Sequence, residues 1–314
     1  MTRIPPFGLG SAQFGNLFRA RTDAEVHAVL NAAWDSGVRH FDTAPHYGLG
    51  LSERRLGTFL AGRPRDEFVI STKVGRLLRR NPNWAGEYDD GFEVHATHKR
   101  VWDFTESGVR SSLEESLERL GLDHVDIAYV HDPERSGVAN AVESGVRALR
   151  TLRDEGLTDR IGVGSMVPQA LADGIREGAD IVMAANCLTL LDQGALLEVV
   201  PAASAAGASI VAAAVFNSGL LADASAGSAM YDYESASSER VSKAKAIDRV
   251  CREHGVALAT AALRYPLLAA PVVAVVAGAD SEAQVRDNVA RLDAPIPDAL
   301  WDDLDAQGLV PRCG

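Results

Sequence analysis

The sequence predicts an α/β protein built as a closed (β/α)8 barrel, the TIM fold, as one domain over residues 1–314 with a long loop after the third strand. Three observations lead there. Eight short apolar runs of strand length alternate with stretches of helical periodicity. The runs are continuously apolar, as in parallel strands covered on both faces. Polar side chains suited to chemistry stand at the ends of several runs, where a barrel carries its active site. A doubly wound open sheet is second. It needs a G-x-G-x-x-G turn after an early strand, and Gly8-Leu9-Gly10 is only a weak match within the first run.

The first strand reads as residues 7–15, with glycines that permit close backbone approach. Thr22-Asp23-Ala24-Glu25 is a capping signal. The helix it opens places Val26, Val29, Leu30, Ala33 and Trp34 on one side and stops at Gly37. Residues 38–41 form the second strand and deliver Asp42. A helix from about Ser52 to Ala61 follows, and a turn through residues 63–66 leads into the third strand, 68–74. From Arg76 to Asp103 the periodicity lapses. A long loop of this kind is often functional, and its position after Lys73 puts it over the active-site face. It reads as a substrate cover with Trp84 and Trp102 as candidate contacts, or as a solvent-exposed insertion with one tryptophan packed for stability. Phe104-Thr105-Glu106 starts the next helix, which Gly121 ends. Residues 126–133 are the fourth strand, and a helix spans about 137–155. The remaining strands are 160–165, 181–187, 209–216 and 272–278, with helical patterns between them.

Hydrophobic residues make up 46% of the chain, enough for a large core. The net charge of −12 argues against nucleic acid or an anionic membrane as the main partner. Three scattered cysteines, Cys187, Cys251 and Cys313, fit a reducing cytoplasm and form neither a disulfide framework nor a zinc pattern, so no metal is expected. The N-terminus lacks the apolar stretch of a signal peptide, and no run approaches the ~18 apolar residues of a membrane span.

The chemistry is concentrated at the ends of the second, third and fourth strands. Asp42 ends one strand, and Tyr47 follows five residues later in a glycine-flanked turn. A phenol with an ordinary pKa of about 10 needs a nearby cation to exchange protons near neutrality. Lys73 ends the third strand and supplies one; His131 ends the fourth. Each has a mundane alternative: a packed tyrosine, a solvated lysine, a satisfied histidine, an aspartate capping its turn. Together, at neighbouring strand ends, they form a coherent catalytic set.

These residues resemble the aldo-keto reductase family, whose N-terminal signature is matched by Gly37, Arg39, Phe41, Asp42-Thr43-Ala44, Tyr47-Gly48, Ser52-Glu53 and Leu56-Gly57. The strand order extends the likeness over nearly the whole chain. The resemblance implies a tetrad of Asp42, Tyr47, Lys73 and His131 and a nicotinamide cofactor. Tyr47 would be the proton donor or acceptor, with Lys73 bringing its pKa towards working pH, Asp42 holding Lys73 and His131 orienting the substrate oxygen.

The cofactor would lie along the strand ends, past Gly10, Ser11 and Asp42. Its carboxamide would meet Ser165 and Asn186. The family often stacks a ring on the nicotinamide from the seventh strand; the matching position is Ala213, and Phe216 is the nearest substitute. Phe216-Asn217-Ser218-Gly219 matches the pyrophosphate cover. The adenosine end would meet Gly278, Ala279, Gln284 and Asn288. Relatives that prefer NADP carry a lysine and an arginine where this chain has Gly278 and Gln284, so NAD is favoured over NADP.

Within the family, residues 42–53, Val130-His131-Asp132-Pro133 and Thr189-Leu190-Leu191-Asp192 resemble sugar dehydrogenases that oxidise C1 of L-fucose, D-arabinose or L-galactose to the lactone; a pyridoxal dehydrogenase resembles the same branch. His46 and Asp132 are candidates to bind the sugar or aldehyde, or to make local structural hydrogen bonds. A general carbonyl reductase and a non-enzymatic, cofactor-sensing subunit are the other readings, the second disfavoured by the intact tetrad.

Overall fold

The computed structural model describes residues 3–89, 91–224, 230–231 and 234–313. Eight parallel strands close into a barrel: β1 (Phe7–Gly10), β2 (His40–Asp42), β3 (Val69–Val74), β6 (Val125–His131), β7 (Thr158–Ser165), β8 (Ile181–Ala185), β9 (Ser209–Ala213) and β12 (Val272–Gly278). They pair in chain order, and β12 returns to β1 in register from Phe7 with Val275 to Gly10 with Gly278. The helices are α1 (Asp23–Asp35), α2 (Leu51–Leu60), α3 (Glu106–Leu120), α4 (Ala141–Asp154), α5 (Pro168–Arg176), α6 (Gly194–Ala206), α7 (Ser238–Glu253), α8 (Leu258–Arg264), α9 (Glu282–Asp293) and α10 (Asp298–Ala306).

Alternation along each strand divides the core into two layers. Val69, Ile127, Tyr129, Ile181, Met183, Val211, Ala213, Ala274 and Val276 fill the barrel, while Ile70, Val74, Ala128, Val130, Ile161 and Val163 pack outward under the helices. The same period of two carries Asp42 inward with His40, Lys73 with Val69, and His131 with Ile127 and Tyr129. The catalytic candidates are thus the last inward residues of their strands.

The local signals are realised at the first helix. Thr22 Oγ1 accepts from Glu25 N (3.2 Å), and Glu25 Oε2 accepts from Thr22 N (2.7 Å), closing the capping box of α1. Gly37 is left-handed just beyond that helix, and Gly121 ends α3 in the same way.

Several expectations need correction. The first strand stops at Gly10, and residues Ala12–Gly15 form a 3-10 turn. The chain must turn there because Gly15 lies flat against the Tyr47 loop: a Cβ on it would sit 2.5 Å from Tyr47 C. The ninth strand ends at Ala213, since Ala214 takes φ +53. The helix expected at 137–155 begins at Ala141, after a 3-10 turn (Pro133–Ser136) and left-handed Gly137 and Asn140. The long loop is not structureless. Its ends form an antiparallel ribbon, β4 (Arg76–Arg80) with β5 (His98–Trp102), in register from Arg76 with Trp102 to Arg80 with His98. The ribbon lies outside the barrel and is rich in arginine, so it lacks the apolar alternation that marks a core strand. A second, short ribbon pairs β10 (Met230–Tyr231) with β11 (Glu234–Ser235). Cys187, Cys251 and Cys313 are free and buried. Among the described residues no helix is long and apolar enough to cross a membrane, and no cluster of potential metal ligands occurs.

His40 is the odd member of the barrel interior. It is fully buried against Gly8, whose Cα leaves room for the ring, and neither ring nitrogen has a hydrogen-bond partner. Burial pushes its pKa down to about 4. A folded-state pKa below the unfolded value means stability is intact above about pH 6.5 and is lost as pH falls towards 4. His40 alone should therefore remove about 3 kcal/mol of stability across that window. Urea unfolding at pH 7 and pH 4.5 measures the loss, and His40→Leu should reduce its steepness.

Candidate active site

Lys73 Nζ is the hub. It donates to Asp42 Oδ2 (2.6 Å), Thr43 O (2.9 Å) and Tyr47 Oη (3.2 Å), using all three N–H bonds of an ammonium group. Lys73 and Asp42 are both buried, and the other Asp42 oxygen accepts from Ser71 Oγ (2.8 Å). Because an ammonium only donates, Tyr47 must accept from it. The phenolic hydrogen is left to point elsewhere, toward whatever occupies the barrel mouth. His131 stands across from the phenol, the two rings edge to face at 6.1 Å. The four residues expected to act together are therefore brought together.

The electrostatics differ from expectation in one respect. Burial raises the Tyr47 pKa above its ordinary value; Lys73 pulls it down, and Asp42 adds to the rise. Lys73 moderates the shift without reversing it. Burial also disfavours charge on Lys73 itself, but Asp42 and Tyr47 outweigh it and its pKa is raised. His131 is pushed well below its usual range by burial, then by Arg76, Lys73, His46 and Arg135. His46 follows for similar reasons, burial first and then Arg76 and Arg100. The site at neutral pH thus holds a neutral phenol, a charged lysine and two neutral imidazoles.

The surroundings explain the loop geometry. Ser11 is fully buried: its Oγ donates to Asp42 O (2.7 Å), and Ser52 Oγ lies 2.7 Å from it and 3.0 Å from Thr43 Oγ1. Ser11, expected at the cofactor, is committed to holding the end of β2. Glu53 accepts from Thr72 Oγ1 (2.8 Å) and Arg119 Nε (2.6 Å), joining α2 to β3 and α3.

The substrate candidates separate. His46 packs against Tyr47, Phe92 and His131, and its buried Nδ1 has no partner. Asp132 is ion-paired with Arg76, and its Oδ2 lies 3.7 Å from His131 Nε2. Trp102 stacks on Phe104 and underlies the Arg76 guanidinium at 4.5 Å. Trp84 donates to Glu87 O (2.9 Å) and meets His95, so it is used within the connection between the ribbon strands.

Three residues at the site escaped the sequence reading: Arg76, Phe92 and Arg100. Phe92 is buried against His46 at 5.3 Å, and its segment is pinned to the loop after β1 by Glu93 N to Asn16 O (2.9 Å) and Phe18 N to Gly91 O (3.2 Å). Arg100 grips Asp89 through two bonds and donates to His46 O (2.8 Å). A loop of mixed charge gave no sign of these pairings; Arg76, three residues beyond Lys73, was the one available hint.

At the expected cofactor end, Asn186 and Asn217 meet: Asn217 Nδ2 donates to Asn186 Oδ1 (2.6 Å), both residues take positive φ, and Asn217 Oδ1 is buried without a partner. Ser165 Oγ accepts from Val167 N (2.9 Å). Ser218 is left-handed beside an exposed Gly219 with φ +97. Phe216 is half-buried and packs against the outer core between barrel and helices. Gly278 faces the Gln13 amide, whose buried Oε1 also has no partner. Ala279 is buried; Gln284 Oε1 accepts from Asp280 N (2.6 Å), and Asn288 accepts from Arg291 (2.9 Å). Arg21, itself buried, holds the Asp280 carboxylate. Two orphaned carboxamide oxygens along one rim suit a ligand bearing amide or hydroxyl donors, as a nicotinamide dinucleotide does.

A buried phenol hydrogen-bonded to an ammonium at the mouth of a (β/α)8 barrel is an arrangement suited to proton exchange with a bound carbonyl or hydroxyl. The chain belongs to the aldo/keto reductase family, whose model matches residues 6–308, and is accordingly an NAD(P)-dependent oxidoreductase. It is 48% identical to a D-threo-aldose 1-dehydrogenase from Pseudomonas sp. over 313 residues, covering 98% of this chain and 95% of that one. It is 35% identical to a pyridoxal 4-dehydrogenase from Microbacterium luteolum, with the same coverage of each chain. An aldo-keto reductase from Bacillus halodurans, solved in its holo form, shares the fold with a TM-score of 0.76 at 23% identity, covering 97% of this chain and 92% of that one.

The buried pair makes a stability prediction. Removing one partner strands a charge, so Asp42→Asn or Lys73→Met should each destabilise by about 3–5 kcal/mol. The double variant should recover part of that loss in urea unfolding, because no charge is left unpaired.

Proposed function

We propose that this protein oxidises C1 of an aldose to the lactone with NAD as the favoured cofactor, and that Tyr47, Lys73, Asp42 and His131 are its catalytic residues. The observation that carries the reading is the three-way bond of Lys73 to Asp42, Thr43 and Tyr47 at the barrel mouth. A nicotinamide held at this rim would supply the acceptor for the hydride of C1. The chain handles the proton: the hemiacetal hydroxyl hydrogen passes to the Tyr47 oxygen, and in reduction it returns. His131 donates a hydrogen bond to the oxygen on the reacting carbon. Asn186 and Asn217 would hold the nicotinamide's carboxamide, and the Ser218-Gly219 turn would cover the pyrophosphate.

The substrate class rests on the 48% identical aldose dehydrogenase and on the polar lining. His46 Nδ1 and His131 Nδ1 are buried without partners beside the tyrosine, and a sugar carries several hydroxyls to satisfy them. The preference for NAD rests on the adenosine end. There Gln284 caps Asp280, and Arg21 is committed to the Asp280 carboxylate, an arrangement that suits a ribose diol and opposes a second phosphate. Pyridoxal is the second reading, favoured by the 35% identical pyridoxal 4-dehydrogenase; it too can be oxidised through a hemiacetal to a lactone.

A panel of L-fucose, D-arabinose, L-galactose and pyridoxal, each with NAD and NADP, separates these readings by the appearance of reduced nicotinamide. An aldose with NAD should show the highest kcat/KM, and a strong NADP preference would reject the assignment of the adenosine end. Tyr47→Phe should lower turnover by about 10²–10⁴ in both directions.

The pH profile follows from the phenol. Its pKa is raised, so at neutral pH it carries its proton, the form needed for reduction. Oxidation needs the ionised form and should accelerate with rising pH through pH 9, while reduction stays flat or declines. Opposite slopes in the two directions are the expected result; parallel slopes would place the proton transfer elsewhere.

A further inference from the structure

Asp132 Oδ2 stands 3.7 Å from His131 Nε2, just beyond hydrogen-bond range. It is restrained there. Asp132 is left-handed at φ +40, its N–H donates to Gly164 O (2.8 Å), and its Oδ2 accepts from Arg76 Nη2. Arg76 is fixed in turn. Its side chain is 8% exposed, it starts β4 opposite Trp102, and its guanidinium rests on that ring, which stacks on Phe104.

We propose that Arg76 is a positioning residue: by binding the Asp132 carboxylate it keeps that carboxylate off His131, so the imidazole N–H stays available to the oxygen on the reacting carbon. This rests on the reading of His131 as that oxygen's donor. A neutral imidazole has a single N–H. His131 Nδ1 has no partner, so what faces Nε2 decides where that hydrogen is used. Without Arg76, the half-buried Asp132 carboxylate would lose its ion pair, and the His131 ring stands 3.7 Å away as a donor. A carboxylate bound to imidazole takes the hydrogen from the substrate and favours the imidazolium. The charged and titratable groups facing His131 are Lys73 from β3, Arg76 from β4, His46 and Tyr47 from the loop after β2, and Arg135 and Asp132 from the turn after β6. Among the described residues Asp132 is the carboxylate that comes within 4 Å of the ring, so its restraint decides the outcome.

The test is a rescue. Four variants, Arg76→Met, Asp132→Ala, the double variant and His131→Gln, are compared with wild type for kcat/KM against pH in the direction of oxidation. Arg76→Met should lose about tenfold or more and gain a new ionisation between about pH 6 and pH 8, with the His131 ring protons titrating there by NMR. Asp132→Ala should stay within about threefold of wild type, and the double variant should return to the Asp132→Ala level, because the competing carboxylate is gone. The double variant has no stranded charge, so it serves even where Arg76→Met folds poorly. Full activity in Arg76→Met, or a double variant far below Asp132→Ala, overturns the proposal. An unimpaired His131→Gln overturns the assignment of His131 itself and takes the proposal with it, whereas impaired His131→Gln with no rescue isolates the failure to Arg76.

Discussion

An ammonium group has three hydrogens, and in Lys73 all three are spoken for. One fixes the lysine to the carboxylate at the end of β2, one to the backbone just beyond it, and one to the phenol. This saturation makes the proton chemistry directional. The phenol oxygen can only accept from lysine, so its own hydrogen is offered to the barrel mouth. Asp42 keeps the lysine charged where burial would otherwise discharge it. The neighbouring strands therefore have to arrive at one height, and the register of β2 with β3 and of β3 with β6 sets that height: Asp42 lies beside Ser71, and Lys73 beside Tyr129.

The loop that carries Tyr47 has no strand to define it, so it is built from close contacts. Gly15 and Gly48 meet backbone to backbone, where a Cβ on Gly48 would fall 2.2 Å from Gly15 O. Ser52 reaches back to Ser11, and Arg55 from α2 donates to Phe14 O, Asn16 Oδ1 and Arg21 O (2.8, 2.8 and 2.6 Å). The helix after the tyrosine thus holds the loop after β1, and that loop in turn holds the Phe92 segment over the site. The signature residues Ser52 and Glu53 make structural bonds that place the Tyr47 loop.

The barrel was legible in the sequence because buried parallel strands leave continuous apolar runs, and the inward position of Asp42, Lys73 and His131 follows from a period of two. What could not be read was pairing at a distance. Asp132 was seen as a polar residue beside a histidine; that Arg76 claims it depends on a ribbon folding across the mouth. Phe216 lies beyond the strand end, where Ala214 at φ +53 has turned the chain, and it is half-buried against the outer core. The tryptophans drew notice in the long loop because they are large, whereas Phe92 and the two arginines meet the site because backbone bonds to residues 16–18 and the ribbon register place them there.

The charges of the mouth have a common logic. Burial first, then Arg76, Lys73 and Arg135, act against protonation of both His46 and His131, and Arg100 adds to them at His46. A histidine that stays neutral can donate or accept without competing with tyrosine for the transferred proton. In the proposed mechanism tyrosine is then the group whose protonation tracks the direction of reaction, its pKa drawn up by burial and down by lysine. Lys73 thus acts on the phenol and, together with the arginines, keeps the imidazoles out of its titration.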